Sequence, residues 1–99
     1  MAARDPVHVA LLTVELMIPW ADSLKDKRRV VKSIKDRLTA KFNVSVAEVG
    51  FLEEWQRTTI GLVMIGNDRQ YLERCLGAAG RLVEEVPDVQ PLRMDMEWL

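Results

Sequence analysis

Val, Leu and Ile crowd residues 7–18, "VHVALLTVELMI", and Pro19 ends the run, which predicts a β-strand. From 23 to 42 the period changes. Val30, Ile34, Leu38 and Phe42 step by four, with Val31 beside them, which predicts a helix with one apolar stripe. Ser23 stands where an N-cap belongs, and Asp26 follows three residues on as a weak capping box. Residues 44–51, "VSVAEVGF", alternate as a strand. After the polar connection "LEEWQ", residues 57–66, "RTTIGLVMIG", complete a hairpin. Asp68 caps a second helix over 69–86, which Pro87 stops; Leu72, Leu76, Ala79, Leu82, Val83 and Val86 form its apolar face. In 89–98, Leu92, Met94, Met96 and Trp98 alternate with Arg93, Asp95 and Glu97, a last strand.

The order β-α-β-β-α-β predicts an α+β, ferredoxin-like domain. Its four-stranded antiparallel sheet has order 4-1-3-2, with both helices on one face. Ala10, Leu12, Val14, Leu16 and Ile18 then face the helices, while Val9, Leu11, Thr13, Glu15 and Met17 face outward. An outward Val9–Leu11 pair is more apolar than a solvated sheet needs. It marks a candidate protein interface or homodimer face, to which Trp55 in the hairpin turn is a further candidate. The whole of 1–99 reads as one domain, with 1–6 expected to be a flexible N-terminus.

Composition narrows the chemistry. Apolar residues make up 48% of the chain and charged residues 29%, the balance of a folding domain. One Cys rules out an internal disulfide, and one His argues against a zinc site or a Ser–His relay. Cys75 falls near the apolar stripe of the second helix, Gly77 and Gly80 suit close packing, and no partner groups surround His8 or the Glu53–Glu54 and Glu84–Glu85 pairs. No cofactor and no enzymatic activity are expected. The longest apolar run carries His8 and Glu15, and "MAARDPVHV" has no secretory pattern, so a cytoplasmic location off the membrane is expected.

Charge changes the picture most. The chain is nearly neutral at −1, yet 23–42 holds eight of its 14 basic residues against two acids, Asp26 and Asp36. Around the helix, Lys25, Arg28, Arg29 and Lys32 fall on the outer half, Lys35 and Arg37 flank the stripe, and Lys27 and Lys41 fall on the apolar side, where they are expected to snorkel. Lys25/Arg29, Arg28/Lys32 and Arg37/Lys41 are like-charge pairs, and cations crowd the positive end of the helix dipole. A face arranged for helix stability alone would mix signs. The arrangement points to an anion, with phosphate contacts from Ser23, Lys25, Lys27, Arg28, Arg29 and Lys32, and with Trp20 just before the helix either stacking on a base or covering the edge of the core.

"SLKDKRRVVKSIKDRL", followed by "FNVSVAEVG", Trp55 and the late "GND", resembles the YlxP-like family of small bacterial proteins. Its Ser-Leu-Lys-x-Lys-Arg signature appears as Ser23, Leu24, Lys25, Lys27 and Arg28. The resemblance implies a ferredoxin-like fold and a genomic setting beside transcription termination, translation initiation and ribosome maturation. It implies no catalytic residues.

An RNA-recognition motif shares this topology but stacks bases on aromatics of its central strands, and the first and third strands here carry none. RNA contact is therefore expected through the basic helix and backbone phosphates. The sequence leaves three readings: a non-enzymatic RNA-binding or ribosome-associated factor, a protein-interaction or homodimerisation module on the open sheet, and a binder of a small phosphorylated ligand.

Overall fold

The structure, a computed structural model, describes residues 5–99; the expected flexible stretch at 1–6 therefore lies mostly outside the described residues. The elements follow in the order β1 (His8–Met17), α1 (Leu24–Lys41), β2 (Ser45–Gly50), β3 (Arg57–Gly66), α2 (Arg69–Glu84) and β4 (Gln90–Trp98). The strands form one antiparallel sheet, β2-β3-β1-β4, the expected order read from its other edge.

Alternation along β1 sets the two faces. Ala10, Leu12, Val14 and Leu16 are buried, and with Ile60, Leu62 and Met64 of β3 they form the floor of the core. Ile34 and Leu38 of α1 and Leu72, Leu76, Ala79 and Val83 of α2 cover that floor. Gly80 lets α2 approach β4, because a Cβ there would meet the Met94 sulfur at 2.8 Å. Coverage thins beyond it, and Leu92 and Met96 of β4 stay substantially exposed.

The other sheet face carries Val9, Leu11, Thr13 and Glu15 opposite Ile65, Val63, Gly61 and Thr59. The outward assignment of Val9 and Leu11 thus holds. Glu48 does not join this face. It pairs across from Ile60, which is buried under the helices, so it points into the helix side of the sheet.

Both helices start with the caps the sequence announces. The Ser23 hydroxyl accepts the Asp26 amide at 3.1 Å, and the Asp68 carboxylate accepts the Tyr71 amide at 3.2 Å. No helix among the described residues is long and apolar enough to cross a membrane.

Candidate nucleic-acid interface on the first helix

The apolar stripe of α1 begins with a lysine. Lys27 is fully buried, as are Ile34 and Leu38 further along the same face. Its ammonium donates to the carbonyl oxygens of Phe51 at 2.7 Å and Leu52 at 3.1 Å and lies 3.0 Å from Glu48 Oε2. Three protons thus meet three good acceptors. The same Glu48 oxygen accepts the hydroxyl of buried Thr58 at 2.6 Å. Phe51 is held at a φ of 57°, a left-handed conformation uncommon for a phenylalanine, and its carbonyl turns to the ammonium. The expected snorkelling of Lys27 and its place in a phosphate site are therefore corrected. The side chain lies beneath the β2–β3 turn and is consumed there.

Ser23 is likewise committed to its cap, and Asp26 Oδ2 accepts the Asp22 amide at 3.0 Å. The helix end supplies its own anion, so the dipole is already complemented. What remains for a ligand is the row of exposed side chains. Lys25, Arg28, Lys32 and Lys35 follow one another along one exposed side of α1, with exposed Arg29 beside them. Lys32 pairs with Asp36 at 2.7 Å; the hydrogen bond to that carboxylate, and then its charge, raise the lysine pKa above its ordinary value. Lys25, Arg28, Arg29 and Lys35 have no carboxylate within salt-bridge distance among the described residues.

Arginines elsewhere are mostly engaged. Arg57 pairs with Glu15 and lies 4.2 Å over the Phe51 ring, Arg93 bonds Asp95 at 2.6 Å, and Arg69 lies 4.4 Å over Trp98. Among the described residues, six cations of α1 (Lys25, Arg28, Arg29, Lys35, Arg37 and Lys41) lack a carboxylate partner, against Arg69, Arg74 and Arg81 on α2, so most of the unpaired positive charge lies on α1.

Both tryptophans singled out in the sequence sit in loops at the end where α1 begins. Trp20 is half exposed, beside a shallow cleft lined by Pro19, Asp88, Val89 and Gln90. Trp55 is half exposed in a turn with Glu53, Glu54 and Gln56. The two loops are tied together by the Ile18 amide to the Gln56 carbonyl at 2.8 Å, and by the Gln56 side chain to the Pro19 and Ala21 carbonyls. Trp55 is not brought together with Val9. Val9 pairs with Ile65, eight residues along β3 from Arg57 and on the order of 25 Å away along the strand.

The other polar clusters among the described residues have structural partners. A depression of about 610 Å³ is lined by Asp5, His8, Asp68 and Arg69 at the start of α2. Asp68 is the helix cap, Arg69 covers Trp98, and His8 meets the same indole edge-on at 6.1 Å. No group of three His, Cys, Asp or Glu residues able to hold a metal ion forms among the described residues.

Fold and surface together define a small ferredoxin-like α+β domain with a cationic first helix. Residues 9–96 match the family described as a protein of unknown function, DUF503, and the chain belongs to that family. It is 36% identical over 84 residues to the uncharacterized protein YlxP of Bacillus subtilis (strain 168), a match covering 85% of this chain and 91% of that one. The YlxP-like resemblance of the sequence is thereby shown. Among solved structures, it is similar to a C-terminal segment of the alpha subunit of aIF2 from Pyrococcus abyssi, with a TM-score of 0.51 and 17% identity over 89% of this chain. The chain spans about half of that structure, and the likeness is one of fold.

Proposed function

We propose that the protein is a non-enzymatic, cytoplasmic RNA-binding factor that contacts backbone phosphates, ribosomal RNA foremost, through the exposed side of α1. The observation that supports this reading most is the run of Lys25, Arg28, Arg29 and Lys35 on one helix with no carboxylate partner among the described residues, while Arg57 and Arg93 are paired and Arg69 stacks on Trp98. Lys32 joins them by exchanging Asp36 for a phosphate, and Lys27 is excluded by its burial. Affinity arises from charge neutralisation and counterion release, with weak sequence preference, because no base-reading constellation lies beside the cations.

Salt dependence tests the reading. Filter binding of ribosomal RNA fragments is expected to weaken steeply as salt rises. The logarithmic slope should be about −0.7 to −0.9 per phosphate contacted, so four or five contacts give a slope of roughly −3 to −4.5. A salt-insensitive affinity would remove the phosphate mechanism.

One observation favours a second reading. Ile65 and Val49 are 62% and 59% exposed on the open sheet, next to half-buried Leu11, Val63 and Val9. Such a strip suits a second copy of the chain. If that face pairs two copies, sedimentation velocity will show a dimer at micromolar concentration, and Leu11→Glu will return it to monomer. A monomer at all concentrations rejects this reading.

A further inference from the structure

The cations of α1 form two sets that share Arg29. Besides the exposed side described above, Arg29, Ser33, Arg37 and Lys41 step by four along the flank that faces α2. Between the helices lie two adjoining depressions of about 190 and 370 Å³ that share Arg37. The first has a floor of Val30, Val86 and Pro87; the second is lined by Ala40 and Leu82. The groove thus has an apolar floor, a cationic wall on α1 and an acid, Glu85, on the α2 side.

That asymmetry selects the occupant. A nucleic-acid strand would need a surface on which its bases stack, and no aromatic residue lines either depression. Glu85 would also repel a polyanion following the groove. An amphipathic helix with acids on one flank alone suits the apolar floor and the cationic wall and can keep its other flank towards Glu85. Its apolar stripe fills the floor, and acids along one flank recur about every 5.4 Å, close to the roughly 6 Å between successive members of the Arg29–Lys41 row. The row runs for roughly 18 Å, about three turns of such a partner. Arg29, Arg37 and Lys41 have no carboxylate within salt-bridge distance among the described residues, so no internal pair must break on docking.

We propose that the groove between α1 and α2 docks an acidic amphipathic helical segment of a partner protein, with Arg37 as the central charge contact. This site shares Arg29 with the RNA reading but otherwise uses a different side of α1, and its test rests on Arg37 and Ser33, which the RNA reading does not use.

The test is a selection of displayed random peptides of about 16 residues, long enough for the groove, against the intact chain. Binding of the enriched peptides is then measured by fluorescence anisotropy. The expected winners carry apolar residues at i, i+3 or i+4, and i+7, with Asp or Glu along one flank. They should bind Arg37→Glu and Ser33→Glu about tenfold or more weakly, and bind Lys25→Glu/Arg28→Glu unchanged. Each substitution is at a non-core position, so a matching thermal melt shows that the fold persists. No enrichment over bare support, enrichment of neutral or basic peptides, or undiminished binding by both Arg37→Glu and Ser33→Glu overturns the proposal. So does displacement of the peptide by single-stranded RNA whose own binding is lost in Arg37→Glu, which would make the groove a nucleic-acid site.

Discussion

Replacing Lys27 with methionine is expected to destabilise the fold by about 3–5 kcal/mol, because it removes one partner of a buried ion pair and keeps the other. Glu48 would keep its charge on the helix side of the sheet with only the Thr58 hydroxyl to answer it, and the Phe51 and Leu52 carbonyls would lose their donor. Methionine fills nearly the same volume, so the loss comes from polar groups and not from a cavity. A domain of this size has about 5–15 kcal/mol of stability in all, so the variant stands near its folding threshold. At about 4–8 °C per kcal/mol, the melting temperature should fall by more than about 10 °C. Adding Glu48→Gln should recover part of the loss by removing the stranded charge. A loss of unfolding free energy of less than about 1 kcal/mol in urea titration would show that the lysine is not the clamp its contacts describe.

That clamp marks where sequence and structure part. Alternation in 7–18 assigned Ala10, Leu12, Val14 and Leu16 inward correctly, and the steps of four in 23–42 placed Ile34 and Leu38 in the core. The same helical geometry put Lys27 on the apolar side. An isolated lysine there snorkels by default. What overrides it is a second irregularity 21 residues away, Glu48 at an inward position of β2 between Val46 and Gly50. A buried acid and a buried base on facing elements complement each other, but strand register decides whether they face. The register of β2 was open in the sequence. Phe51, whose left-handed backbone brings its carbonyl to the ammonium, left no trace in hydrophobic pattern.

The site was legible in its charge and less so in its partition. The clustering of cations on 23–42 is a property of the chain, and their exposure follows from the stripe. Two members of the expected set had structural duties instead, Lys27 in the clamp and Ser23 in the cap. The division of the remainder into an exposed side and an α2-facing row depends on where α2 packs. Periodicity within one helix carries no information about its neighbour's position, so the joint role of Ser33, Arg37 and Lys41 appears only in three dimensions.

The larger functional effect is expected from reversing three cations on the exposed side. Lys25→Glu/Arg28→Glu/Arg29→Glu takes the net charge from −1 to −7, two units per substitution. None of the three residues is buried or forms an ion pair among the described residues, so the fold should persist. Each lost phosphate contact is replaced by a repulsion, and RNA affinity should drop to background even at low salt. Arg37→Glu leaves the exposed side intact and should weaken RNA binding far less, which separates a directed interface from a response to total charge.

The most direct measurement is therefore filter retention of ribosomal RNA fragments by wild type and by the triple variant in the same low-salt buffer, with thermal melts run on both. Retention by wild type and none by a variant that melts as wild type does is the predicted result. Equal retention by a folded triple variant would contradict the assignment of RNA contact to the exposed side of α1.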